Sequence, residues 1–340
     1  VLAALYPGLR PLLFRLDPER AHDLGMAALR LAERIGLLDL LEHRELSKPV
    51  ELLGLRFPNR IGLAAGLDKN GNTIDALGRL GFGFIEVGTV TPRPQPGNPK
   101  PRLFRLRETE AIVNRMGFNN DGIDALVGHV SRARSFRGLI GINIGRNKDT
   151  PNESAVEDYL DCMRKAWRVA DYLAVNLSSP NTPGLRELQQ AEACARLLAR
   201  LKQEQEILTR STSRRVPLFF KIAPDLDPPQ IGELARVFLD GGLDGLIATN
   251  TTLDRKAVAG SRHAEETGGL SGRPLLRKSN EVLSAFADQL SGRIPIIGVG
   301  GVSSLEDARE KLRCGASLVQ IYTSLIYRGP GLVRELARGL

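Results

Sequence analysis

A (β/α)8 barrel (TIM barrel) with a small N-terminal helical extension is the fold class this sequence predicts. Three observations lead there. From residue 61 onward, eight short apolar runs alternate with amphipathic segments. Those runs are apolar at odd and even positions alike, the pattern of parallel strands buried on both faces. A doubly wound open sheet is expected to carry GxGxxG after its first strand, and none is there. The 340 residues, 42% hydrophobic and 25% charged, make a folded chain long enough to bury a core without disulfides or structural zinc. Cys162, Cys194 and Cys314 lack CxxC spacing and the four histidines lack HxxxH spacing, so no metal site is expected. The sparse, odd cysteine count suits a reducing compartment.

The extension comes first. Asp17, Pro18 and Glu19 read as an N-cap, a proline at the first helical position and a first-turn acid. The helix they open carries Ala21, Leu24, Ala28, Leu31, Ile35 and Leu38 on one apolar face, widened by Leu37, Leu40 and Leu41. A shorter segment before it offers Leu9, Leu12, Leu13 and Leu16. Residues 1–44 hold six arginines against six acids, so the whole net charge of +8 lies in 45–340. Such a patch either packs on the barrel or meets a lipid-soluble partner or a membrane interface. No charge-free stretch of about 18 residues exists, so no transmembrane helix is expected, and no signal peptide is readable. The chain opens on Val1 rather than Met, so leading residues are expected to be missing or altered.

Barrel strands are expected at 61–64, 84–88, 139–143, 172–176, 218–222, 245–249, 296–299 and 318–322. Helices are expected near 72–80, 121–134, 157–170, 187–209, 230–239, 277–289, 304–314 and 331–339. Just past the strands come Lys69, Thr89, Asn143, Asn176, Lys221, Asn250, the pair Gly300 and Gly301, and Thr323. In a barrel these meet on the C-terminal rim, where active sites form, and lysine there is no helix cap. Two rim loops, 90–120 and 250–274, are long enough to be lids or binding loops. The first contains two extended stretches, near 102–107 and 111–114.

The rim chemistry narrows the function. Ile297-Gly-Val-Gly-Gly301 at the seventh strand and Tyr322 with Thr323 at the eighth fill the slot where barrels bind phosphate. That phosphate could belong to a substrate or to a cofactor such as flavin mononucleotide (FMN). Lys69 and Lys221 could serve as bases, as Schiff-base nucleophiles, or as fixed charges beside a reduced flavin. The lack of a separate acid cluster for an aldolase or isomerase favours the flavin. Asn114, Asn176, Asn181 and Asn250 each offer donor and acceptor, matching the edge of a ureide or pyrimidine ring. In Asn176-Leu-Ser-Ser-Pro-Asn-Thr-Pro-Gly-Leu-Arg186, Ser179 has no histidine nearby and no GxSxG, which argues against a serine hydrolase. It can act as a base if a relay through Thr182 and water removes its proton. The positive charge is spread over many helices, so nucleic acid is not the expected partner. A flavin barrel acting on uridines in RNA, or a membrane-docked module without chemistry, are the competing readings.

Several long blocks resemble the class 2, quinone-dependent dihydroorotate dehydrogenases over essentially the whole chain. They include Leu16-Asp-Pro-Glu-Arg-Ala-His22, Gly62-Leu-Ala-Ala-Gly-Leu-Asp-Lys69 and Glu86-Val-Gly-Thr-Val-Thr-Pro-Arg-Pro-Gln-Pro-Gly97. Asn114-Arg-Met-Gly-Phe-Asn-Asn120, Lys221-Ile-Ala-Pro-Asp225, Ala248-Thr-Asn-Thr-Thr252 and Gly298-Val-Gly-Gly301 complete the set. The resemblance implies oxidation of dihydroorotate to orotate in pyrimidine biosynthesis, with one FMN per chain and a membrane quinone as final acceptor. It implies Ser179 as the base for the C5 proton, the C6 hydride going to flavin N5, and Thr182 and Phe118 shaping the proton's exit. Lys69, Asn114, Asn176, Asn181, Asn250 and Thr251 would hold the substrate, with Arg115, Met116, Gly117 and Phe118 near its carboxylate. Ala65, Gly66, Leu67, Asp68, Lys69, Thr89, Asn143, Asn176, Lys221, Thr249, Gly272, Gly301, Tyr322 and Thr323 would line the flavin. Class 1 relatives use a cysteine as base; here the position is Ser179. Residues 1–44 would form the quinone tunnel and the membrane attachment, with His22 and Arg105 near the quinone head group, and 45–340 the FMN-binding barrel. A monomer of bacterial type, peripheral on the cytoplasmic side of the inner membrane, is the form expected.

Overall fold

The computed structural model describes residues 2–40 and 48–340. The expected boundary between residues 44 and 45, Leu41 and the side chain of Leu40 lie outside what is described. Two helices, α1 (Leu2–Leu13) and α2 (Pro18–Arg34), lead into a hairpin of β1 (Val50–Leu52) and β2 (Leu55–Phe57). Then follow β3 (Ile61–Leu63), α3 (Ile74–Gly78), β4 (Phe84–Val90), β5 (Leu103–Leu106), β6 (Ala111–Asn114), α4 (Ile123–Val130), β7 (Leu139–Ile144) and α5 (Ala155–Ala166). The chain continues through β8 (Tyr172–Asn176), α6 (Ala191–Thr212), β9 (Leu218–Ile222), α7 (Pro228–Asp240) and β10 (Gly245–Ala248). It ends with β11 (Gly269–Gly272), α8 (Leu276–Leu290), β12 (Ile296–Val299), α9 (Leu305–Arg313), β13 (Leu318–Ile321), α10 (Thr323–Arg328) and α11 (Gly331–Gly339).

Strands β3, β4, β7, β8, β9, β10, β12 and β13 close into a parallel barrel in that order. Each lies within two residues of its expected span, because a strand buried on both faces announces itself as an apolar run. Inside, large rings fit against missing side chains: a Cβ on Gly62 would lie 2.2 Å from the Phe84 ring, and one on Gly141 2.1 Å from Tyr172. The hairpin was not foreseen. It plugs the end of the barrel where the strands start, with Phe57 edge-on to Phe84 at 5.3 Å. The two extended stretches of the long loop are β5 and β6, and β11 from the second long loop pairs with β6 as a third, unforeseen strand. The two lids are thereby welded into one sheet over the rim. Outside the barrel, Trp167 at the end of α5 is fully buried and donates to Thr212 Oγ1 at 3.0 Å at the end of α6.

The extension is capped as expected: Asp17 Oδ1 accepts from the N–H groups of Glu19 and Arg20, each at 3.0 Å. Its apolar face corrects one of the two expectations. Leu24, Leu31 and Ile35 do not pack on the barrel; they and Leu5, Leu9, Leu12, Leu16 and Leu37 are 41–66% exposed. The α2 face that packs carries Met26, in the main core, and Leu29; Leu38, expected on the open face, lies past the end of α2 and is buried against Leu29 and Ala76. Among the described residues, no helix is long and apolar enough to cross a membrane.

Candidate active site

One cleft of about 1360 Å³, its open mouth included, occupies the C-terminal rim. It runs from Glu19 and His22 on α2, past Leu103 and Phe118, to the glycines after β12 and the start of α10. The strand ends supply its floor. Lys221, at the end of β9, is buried and sits 3.4 Å from Glu86 Oε1. Glu86 is wholly enclosed in the barrel and is satisfied on both oxygens. Asn143 Nδ2 donates to Oε1 at 2.8 Å, while Gln320 Nε2 (2.8 Å) and Tyr172 Oη (3.2 Å) donate to Oε2. A carboxylate this deep survives only with such partners. The second ammonium, Lys69, has no carboxylate within salt-bridge distance among the described residues. Burial pushes it down to about 8, helped by the charge of Arg102 and opposed by Glu19, Asp68 and Asp23.

The four amides form two hydrogen-bonded pairs. Asn176 Nδ2 donates to Thr89 Oγ1 at 2.9 Å, and its Oδ1 accepts from Asn250 Nδ2 at 3.3 Å. Asn250 Nδ2 also reaches Ser178 Oγ at 2.9 Å, and Asn181 Nδ2 donates to Asn114 Oδ1 at 3.2 Å. Ser179 lies between these pairs, facing the cleft, its Oγ accepting the Asn181 N–H at 3.2 Å. The Thr182 hydroxyl is buried with no hydrogen-bond partner. Such an orphan costs about 1–3 kcal/mol unless water or a ligand meets it. Arg186 ties the loops together, donating to the carbonyls of Ser178 (3.0 Å) and Thr251 (2.9 Å) and pairing with Asp225 at 2.9 Å.

At the glycine end, Gly300 (φ +111°) and Gly301 (φ +79°) hold a backbone shape that other residues rarely adopt. A Cβ on Gly301 would stand 2.4 Å from the backbone of Leu276, so the loop can lie against α8 only as glycine. Thr323 and Ser271 share a hydrogen bond of 2.8 Å between hydroxyls. Two buried atoms on the cleft residues here, Gln320 Oε1 and Ser324 Oγ, have no partner. A glycine cradle beside unpartnered polar atoms and two ammonium groups suits a polar, phosphate-bearing ring such as FMN. Burial pushes the Tyr322 phenol up to about 12, so it stays neutral.

At the helix end, Arg102 clamps Glu19 with Nε and Nη2, the shorter contact 2.7 Å, and donates to the carbonyls of Pro96 (2.6 Å) and Asn98 (2.9 Å). His22 lines the cleft beside it. Burial, then the charge of Lys69, pushes this imidazole down to about 4 against the pull of Glu19, so it is neutral at pH 7.

A family model described as dihydroorotate dehydrogenase matches residues 48–340. The dihydroorotate dehydrogenase (quinone) of Akkermansia muciniphila is 58% identical over 337 residues, 99% of this chain and 97% of that protein. Its counterpart in Chromobacterium violaceum is 58% identical over 334 residues, 98% of this chain and 97% of the relative. A crystal structure of DHODH from Eimeria tenella in complex with ferulenol superposes with a TM-score of 0.89 at 42% identity, covering 98% of this chain and 93% of that one. The chain belongs to the dihydroorotate dehydrogenase family.

Most residues expected from the resemblance to dihydroorotate dehydrogenases converge on this cleft: His22, Ala65, Gly66, Lys69, Thr89, Asn114, Met116, Gly117, Phe118, Asn176, Ser179, Asn181, Lys221, Thr249, Asn250, Thr251, Gly272, Gly301, Tyr322 and Thr323. Six do not line it. Leu67 is part of the core, and the Asp68 carboxylate is spent on the N–H groups of Asn72 (3.1 Å) and Thr73 (2.8 Å). The Arg115 guanidinium turns outward to Glu266 at 2.7 Å and lies over Phe104. Asn143 sits beneath the floor, between Thr89 and Glu86, and Thr182 is buried outside the cleft lining. Arg105 is drawn away by the carbonyls of Leu13 (3.2 Å) and Leu16 and by the Phe14 ring. Sequence reasoning missed Glu86, Gln320 and Arg186 as parts of the site. Only a charged or amide residue in the middle of an apolar strand could have flagged the first two.

Proposed function

We propose that this protein oxidises dihydroorotate to orotate in pyrimidine biosynthesis and passes the electrons to a quinone. The observation that carries this reading is the meeting of Ser179, Lys69 and four asparagines in one cleft with a glycine cradle, on a chain belonging to the dihydroorotate dehydrogenase family. FMN, when bound, supplies the acceptor for the substrate's C6 hydride and hands the electrons on to quinone. With FMN bound, Gly301, Thr323 and Ser324 would hold its phosphate, and Lys221 and Lys69 would serve as fixed charges for its ring. The asparagine amides donate to and accept from the pyrimidine edge, and the Lys69 ammonium steadies the anionic substrate. Ser179 Oγ takes the C5 proton, and the unpartnered Thr182 hydroxyl passes it on toward water. Phe118, nearly buried, keeps bulk water from the reacting atoms.

Helices α1 and α2 bring the quinone. The neutral His22 faces its head group, and Arg105 pins the linker that shapes this entrance rather than meeting the ligand. The exposed leucines and Ile35 rest in a membrane interface, which makes the protein a peripheral one on the inner face of a bacterial inner membrane. It works as a monomer. The test is an anaerobic absorbance spectrum: the purified protein should be yellow, and dihydroorotate should bleach the flavin band. A flavin band that dihydroorotate leaves unchanged would overturn the assignment.

A further inference from the structure

Behind the glycine cradle lies a charge that the reaction does not use. Lys311, on α9, is wholly buried and has no carboxylate within salt-bridge distance among the described residues. Its Nζ donates to Ser279 Oγ on α8 at 2.5 Å. That hydroxyl reaches the carbonyls of Gly300 (3.0 Å) and Leu276 (2.9 Å). The lysine stem runs under Gly298, whose Cβ would stand 3.2 Å from Lys311 Cδ. The same helix grips the far end of the loop, since Asp307 Oδ2 accepts from Ser303 N and Oγ, both at 2.8 Å. A buried ammonium without a counter-ion is disfavoured and is expected to shed its proton unless an anion arrives.

We propose that Lys311 is a positioning residue for the phosphate subsite: its ammonium orders the loop of Gly300 and Gly301 through Ser279 and supplies the buried charge that answers a phosphate, so that cofactor retention is linked to pH. This rests on the flavin reading above. The titratable groups acting on Lys311 are Cys314 and Asp307, both on α9 or at its end; Ser279 from α8 and Gly298 from β12 face it and do not titrate. Burial pushes the free ammonium down to about 7. A phosphate dianion nearby raises it again, so binding takes up a proton from water. Affinity is then full below about pH 7 and falls as the pH rises, by up to about tenfold per unit for one linked proton.

The test uses holoenzyme diluted into buffers from pH 7 to 9, with released FMN read by its fluorescence. Wild type should release more FMN as the pH rises. Lys311→Met, which keeps the apolar stem, should release more at pH 7 and show a shallower slope above it than wild type. Lys69 titrates in the same range and is present in both proteins, so the difference between them isolates Lys311. Ser279→Ala keeps the charge and cuts the link, and should retain the slope with weaker retention throughout. A wild-type profile in Lys311→Met, or in Ser279→Ala both the slope and the retention of wild type, overturns the proposal. Wild-type protein purified without any flavin overturns the underlying reading instead, before a variant is needed.

Discussion

On the rim, polar side chains are buried and bonded to one another: Asn176 alone joins Thr89, Asn143, Ser178 and Asn250. Across the N-terminal extension much of the apolar surface is in solvent, and a few buried apolar residues such as Met26 share the fastening with polar contacts. Arg10 donates to the carbonyl of Tyr327 at 2.8 Å, Tyr6 to that of Ile326, and Arg30 to Asn72 and Thr73, each at 3.2 Å. Glu19 and Arg102 provide the one buried ion pair between the extension and the rim among the described residues. The rim is held by the barrel core beneath it, whereas the extension is pinned at points. The two regions should therefore fail independently, and three variants probe that.

The largest effect is expected at Ser179. Ser179→Ala should slow reduction of the flavin by dihydroorotate about 10²- to 10⁴-fold in anaerobic stopped flow, with bound FMN and membrane attachment unchanged. Unimpaired reduction would remove serine from the role of base. Next comes Glu19→Ala, which leaves Arg102 buried without its partner at a cost of about 3 kcal/mol. Limited proteolysis should then cut within residues 5–37 while the barrel stays intact. The same pin has a pH signature. Burial pushes the Glu19 carboxyl up, but Arg102 and Lys100 outweigh it and hold the carboxyl below its usual value of 4.5. Its contribution is complete above that value and drains away as the pH falls through the lowered one, so acid should loosen α2 before the barrel. The smallest effect is expected from Leu31→Ser with Ile35→Ser. Withdrawing two half-exposed side chains from lipid removes about 2 kcal/mol, roughly 30-fold in vesicle binding, with dihydroorotate-driven reduction untouched. Unchanged sedimentation with vesicles would place the membrane contact elsewhere.

What could be read in the sequence follows the same divide. All eight barrel strands were legible because both their faces are buried, and the rim residues because position after a strand fixes where a side chain ends up. The β1–β2 hairpin was not, since Val50–Phe57 is too short and mixed to carry a period. Nor was the pairing of β11 with β6, which depends on two loops 155 residues apart meeting over the rim. Helical spacing revealed that α2 has an apolar face but not what covers it, and the structure leaves that face open. Glu19 was legible only as a first-turn acid; its partner, Arg102, is 83 residues away.

Trp167 is the chain's single tryptophan, sealed in the barrel wall where α5 meets α6. Its ultraviolet emission is thus a gauge of the wall alone, blue-shifted while the wall is dry and moving to the red when it opens. Because no other indole competes, undocking of α1 and α2 leaves that colour as it was, and the molecule distinguishes by light between shedding its extension and losing its fold.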